Sequence, residues 1–209
     1  MKITLEYLQG LNACSDGVRY WESLNLTDPV EVIRACIRDE KWGYGRWLMA
    51  RMLSRKDKIA WAVFAAEQVI EIYEKRYPDK KAPLAAIDAA KAVIENQESR
   101  EAARVARWAA DAAAAADDAA ADAATYAAAT YAAAAYATYA AAAADADYAA
   151  YADYAATYAA AAYAAYAAAA ADATYAAADA ADACREMRVR ILEYGITLFQ
   201  KAEQAVLAQ

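Results

Sequence analysis

Acidic pairs are the first residues whose spacing could do chemistry. Asp118/Asp122 stand at i, i+4 and Asp179/Asp182 at i, i+3, so each pair shares one face of a helix. Two carboxylates alone make a weak metal site, and a stronger one needs His or further acids. The sequence has no His, which removes the usual general base and the commonest metal ligand. It also lacks a Gly-rich phosphate loop, a nucleophile elbow and any C-x-x-C pair. These observations predict a chain with no catalytic residues, no metal ligands and no cofactor, and they assign the Asp pairs to helix caps and solvated faces.

Residues suited to binding are more conspicuous. All five tryptophans, Trp21, Trp42, Trp47, Trp61 and Trp108, lie in the first 108 positions, and Arg46, Arg104 and Arg107 sit close to Trp in sequence. Trp and Arg dominate binding hot spots. Trp42, Arg46, Trp47, Arg104, Arg107 and Trp108 are therefore candidate partner- or ligand-binding residues. Tyr148, Tyr151 and Tyr158 join them. With Tyr163 and Tyr166 they fall within about 140° of arc on one helix, a stripe that either fills a core or lines a groove.

The elements that carry these residues are helical. The 209 residues include only 5 Gly and 3 Pro, and Ala supplies most of the 62% hydrophobic share. The segment TYAAAAYATYAAAAADADYAA begins at Thr130, and a near copy begins at Thr157, 27 residues later. The string AAAAAD ends at Asp117, Asp145 and Asp172. Asp is a poor interior residue and a good N-cap, so these strings read as junctions between helices of ~25 residues, ~40 Å long. Mid-helix crossings are the other reading. The expected fold is all-α: a bundle of long, antiparallel Ala/Tyr-rich helices over residues 98–209, with a smaller helical region over residues 1–97.

In that first region, a short helix is expected over residues 4–9, followed by a turn at Asp16-Gly17. TDPVEVIRACIRDE is a helix start, with Thr27 or Asp28 as cap and Pro29 in the first turn. KWGYGRW is expected to break the chain at Gly43 and Gly45 before a helix carrying Trp47, Met49 and Leu53. Ser54 and Asp57 form a capping pair, and Ile59, Val63, Ala66, Ile70 and Tyr73 form one stripe. Pro83 leads a helix whose apolar side is Leu84, Ile87, Val93 and Ile94. Met187, Ile191, Tyr194, Leu198 and Ala205 mark a final amphipathic helix, a core element or a dimer seam, which leaves homo-oligomerisation open.

Charge narrows the partner. The formal net charge is −7. No Lys or Arg occurs between Trp108 and Arg185, a window that holds ten Asp; the other residues carry 22 basic against 19 acidic side chains, a net +3. No basic stripe favours nucleic acid. Residues 123–144 are free of charge and long enough to span a bilayer. However, Ala is barely apolar, the Tyr residues are not gathered in belts, and the flanks are Asp122 and Asp145. No membrane span is expected. Cys14, Cys36 and Cys184 are odd in number and scattered, the pattern of reduced core thiols in a cytoplasm.

Two stretches carry a resemblance. LEYLQGLNACSDGVRYW is similar to the opening segment of many phage and prophage proteins. Residues 64–116, FAAEQVIEIYEKRYPDKKAPLAAIDAAKAVIENQESREAARVARWAADAAAAA, resemble an immunity protein family of polymorphic toxin systems that also occurs in phages. The shared motif is Glu74, Tyr77, Pro78 and Asp79, followed by a Pro-led helix and an Ala-rich tract; in all the resemblance covers residues 2–116. Where the family has a basic Arg-Pro-Arg, this chain has Lys81-Ala82-Pro83-Leu84, and Tyr stands where relatives carry His. The resemblance implies an all-α, non-catalytic inhibitor that binds and neutralises a toxin or a host-defence protein. The residues leave two other readings: a sponge that sequesters a nucleotide signal in an aromatic pocket with a basic rim, and a structural or assembly protein that uses the 27-residue repeat as a spacer.

Overall fold

The structure, a computed structural model, describes residues 2–76, 82–95 and 176–208. Seven α-helices and no strand occur among the described residues: α1 (Leu5–Gly10), α2 (Ser15–Leu24), α3 (Pro29–Arg38), α4 (Trp42–Met52), α5 (Arg55–Arg76), α6 (Ala82–Glu95) and α7 (Ala176–Leu207). The fold class is all-α. The repeat up to residue 175, all three AAAAAD strings and the boundary expected near residue 97 lie outside the described residues.

Side-chain caps fix the helix starts. Thr4 Oγ1 accepts from the Tyr7 N–H at 3.2 Å, Asp28 Oδ1 from Glu31 at 3.0 Å and Ser54 Oγ from Asp57 at 3.2 Å. Each satisfies a backbone donor that the first helical turn leaves without a partner. Pro29 follows its cap as expected. Ser54 Oγ also donates to Asp57 Oδ2 at 2.6 Å, completing the reciprocal pair.

Two expected breaks fall elsewhere. Asp16 and Gly17 belong to the first turn of α2, and the chain reverses earlier, at Leu11 and Asn12, where Asn12 takes a φ of 56°. Asn tolerates this left-handed conformation better than most residues. Gly43 and Gly45 lie inside α4, and the break precedes it at Asp39–Lys41, with Glu40 at a φ of 55°. These glycines were misplaced because Gly is helix-breaking only when nothing rewards its missing side chain. At Gly45 something does: an added Cβ would lie 3.2 Å from Cys36 Cβ and 3.4 Å from Leu192 Cδ1.

The core is organised around α5 and α7. Ile59, Val63, Ala66 and Ile70 are buried as the stripe predicts, but so are Trp61, Ala62, Ala65 and Val69. α5 is buried on more than one face because α6 packs on it from one direction and α7 from another. Lys91 Nζ on α6 pairs with Glu67 Oε1 on α5 at 2.7 Å. α7, 32 residues and so ~48 Å long, packs against α3, α4 and α5. It contributes Met187, Ile191, Leu192, Ile196 and Phe199 to the core, while Tyr194 and Leu198 pack on its edge. The Met49 side chain packs on the bare backbone at Gly195, where an added Cβ would lie 2.9 Å from its Cγ, Sδ and Cε.

A buried hydrogen bond ties α5 to α7. Trp61, fully buried, donates from Nε1 to the carbonyl of Ile191 at 2.8 Å. A buried indole N–H needs such a partner. Beside it, the rings of Phe64 and Tyr194 stack with centroids 3.9 Å apart.

Candidate functional site

The four short helices α1–α4 pack differently from α5–α7. α2 buries no residue fully. Val18, Trp21 and Leu24 form its inward side and are only half-buried against the core. This leaves a cavity of about 360 Å³ among α1, α2, α3 and α4. Its floor is Ile3, Leu8, Val32 and Leu48, all buried. Its walls are aromatic: Tyr20 and Trp21 from α2, Tyr44 and Trp47 from α4. Exposed Asn12, Cys14 and Gly43 stand at its mouth.

Local structure holds the walls in place. Cys14 Sγ caps α2 by accepting from the Gly17 N–H at 3.3 Å. The absent side chain of Gly17 leaves room there, since a Cβ would meet that sulfur at 3.3 Å and the Tyr44 ring at 3.8 Å. Trp21 donates from Nε1 to the carbonyl of Leu26 at 2.8 Å, which uses its only polar atom outside the cavity. The Tyr20 and Tyr44 rings lie 5.6 Å apart, tilted by 37°. On the far side of Trp47, the Arg51 guanidinium sits 4.2 Å over the indole and donates to the Trp47 carbonyl at 3.3 Å.

No Asp, Glu, Lys or Arg lines the cavity. Its two perturbed titratable groups are held neutral. Burial raises the Tyr20 phenol far above its usual value; the Cys36 thiolate, formed first as pH rises, and the Asp39 carboxylate add to the effect. Tyr20 donates its hydroxyl proton to Asp39 Oδ2 at 3.0 Å. Burial likewise pushes the Cys36 thiol up to about 11, so at neutral pH it is not the thiolate that nucleophilic chemistry needs. Asp39 stays ionised: Arg38 binds it through Nε at 2.7 Å and Nη2 at 3.0 Å, and this pairing, aided by Tyr20, lowers its carboxyl. The arrangement offers apolar contact and ring stacking in a neutral recess, bordered by one fixed ion pair.

Of the candidates from sequence, Trp47 is a cavity wall. Trp42 is half-buried and lies on the same helix about 140° away. It faces α7, whose Arg188 guanidinium is 5.9 Å from its ring centroid. Arg46 is half-buried and already engaged with a neighbour. Arg104, Arg107, Trp108, Tyr148, Tyr151 and Tyr158 lie outside the described residues. Tyr20 and Tyr44 are not among those candidates, and Trp21 and Cys36 stand out in the sequence only as one of five tryptophans and as a core thiol. The adjacent aromatics Tyr20-Trp21, three residues after Gly17, and Tyr44 between two glycines were the available signals.

Cys14, Cys36 and Cys184 are all free thiols. Cys36 is fully buried and half-buried Cys184 packs against the core, as expected of core thiols; Cys14 instead caps a helix at the surface. Among the described residues no three of His, Cys, Asp and Glu are grouped to hold a metal. No helix among them is long and apolar enough to cross a membrane; the charge-free residues 123–144 lie outside them. No protein-family model, curated protein sequence or solved structure matches this chain.

Proposed function

We propose that this chain is a non-catalytic inhibitor that binds a protein and neutralises it. The aromatic cavity of α1–α4 is its grip. The observation that carries the reading is the recess itself: Tyr20, Trp21, Tyr44 and Trp47 wall about 360 Å³ of uncharged space. Interface hot spots pair an apolar anchor with a desolvated pocket of this kind. The resemblance to immunity proteins of toxin systems and phages supplies the setting, a toxin or a host-defence protein in the cytoplasm. Long antiparallel Ala/Tyr helices between α6 and α7 complete the proposed architecture. The nucleotide-sponge reading is less well supported, because a phosphate entering this cavity meets no cationic lining.

Capture experiments on the immobilised full chain test the proposal, with Trp47→Ala and Trp42→Ala as comparators. Cells carrying the cognate toxin or infected by the phage supply the partner. The wild-type chain retains one protein in stoichiometric amount, Trp47→Ala loses it at least tenfold, and Trp42→Ala, which faces α7, retains it. Equal retention by Trp47→Ala places the grip elsewhere. A bound species of nucleotide mass in native mass spectrometry replaces this reading with the sponge.

A further inference from the structure

The lining of the cavity restricts what can enter it. An ionised group would leave its hydration behind and find no opposite charge among the lining residues. A neutral group loses little. Size is equally selective: an apolar cavity of about 150 Å³ already holds benzene, and about 360 Å³ has room for two fused rings. The walls present ring faces and edges. Trp21 has spent its N–H on Leu26 and Tyr20 its hydroxyl proton on Asp39. Stacked and edge-to-face contacts with aromatic guests are what such walls favour. The one side-chain amide of the lining, Asn12, is at the exposed mouth.

We infer that the cavity binds a neutral, two-ring aromatic group of indole size, with its rings inward and its polar edge toward Asn12. The inference rests on the reading of this cavity as the binding site and names the chemistry of its guest. That chemistry has two sources: a free aromatic molecule, or the side chain of a tryptophan on the partner protein.

Isothermal titration of the full chain tests the inference with three probes: indole, N-acetyltryptophanamide and indole-3-carboxylate. Indole gives a one-to-one isotherm with a Kd below about 1 mM, which the affinity per heavy atom of small ligands allows. Indole-3-carboxylate, the same rings with a charge, binds at least tenfold more weakly. N-acetyltryptophanamide binding as tightly as indole assigns the site to a partner's side chain; binding tenfold more weakly assigns it to a free molecule. Ala13→Leu, which fills the lining, weakens indole at least tenfold. If that variant does not fold, Gly43→Leu at the exposed mouth, where an added Cβ meets nothing within 4 Å, makes the same test. Three results overturn the inference: no saturable heat up to about 10 mM indole, equal binding of the carboxylate, or indifference to both substitutions. The two readings fail separately. Loss of indole binding with partner capture still dependent on Trp47 removes only the aromatic guest. Indole binding with capture independent of Trp47 removes only the protein grip.

Discussion

The α4–α5–α7 junction and the α1–α4 end use the same kinds of residue to opposite effect. At the junction, Gly45 and Gly195 remove side chains where helices cross, so Leu192 and Met49 fill the space against bare backbone. Trp61 lies wholly inside with its N–H satisfied. At the other end, Gly17 likewise opens space, but Tyr20, Trp21, Tyr44 and Trp47 stand around it rather than in it. A large aromatic in the centre of a packed layer closes the layer. Aromatics on facing helices prop them apart and leave a recess. The first arrangement closes the core, and the second leaves a cavity.

Substitutions can break that contrast, and the largest effect belongs to the junction. Trp61→Ala leaves a cavity and takes from the Ile191 carbonyl the donor it has beyond its own helix, and lowers unfolding stability by about 4 kcal/mol in urea denaturation. A loss under 1 kcal/mol removes Trp61 from the centre of the core. Trp47→Ala, a wall already bordering open space, costs about half as much by the same assay, because fewer packed neighbours lose contact. Equal losses would erase the distinction between the two regions.

Gly195→Ala gains about 1 kcal/mol of helix propensity yet forces its Cβ onto Met49, which is fully buried. Overpacking of this kind costs about 1–3 kcal/mol, so the net change is a destabilisation of up to about 2 kcal/mol. A double-mutant cycle with Met49→Ala sharpens the result: the coupling is favourable by at least about 0.5 kcal/mol when the two sites touch and zero when they do not.

The last effect is confined to alkaline pH. A thiol held at about 11 in the fold and near 9.0 when unfolded keeps its proton in the native state after the unfolded chain has lost it. Its contribution to stability is complete below pH 9 and falls as pH rises toward 11. The wild type therefore loses stability across that window more steeply than Cys36→Ala. Parallel pH profiles would mean that the Cys36 thiol is not desolvated. Tyr20, also raised and in part by Cys36, contributes a loss of the same sign that the Cys36 substitution lessens.

Elements governed by local chemistry were legible in the sequence. Asp28 with Pro29 and Ser54 with Asp57 mark helix starts through contacts three residues away or less, and the structure has them. The burial of α5 was legible only in part. Ile59, Val63, Ala66 and Ile70 signal one face, but Ala62, Ala65 and Trp61 are buried by neighbours distant in sequence, and Ala carries too little hydrophobicity to announce a second face. Gly43 and Gly45 were misread for a related reason: the helix tolerates Gly45 because of Leu192, nearly 150 positions away. Trp47 was found as a type of residue suited to binding. The cavity beside it was not, because empty space depends on how four helices fail to meet, and no periodicity encodes that.

The hydrogen bond from Trp61 to Ile191 closes a loop of 130 residues. The same bond sets a timetable during synthesis. Until Ile191 has left the ribosome, the indole of Trp61 has no acceptor, and the α7-facing side of α5 stays uncovered.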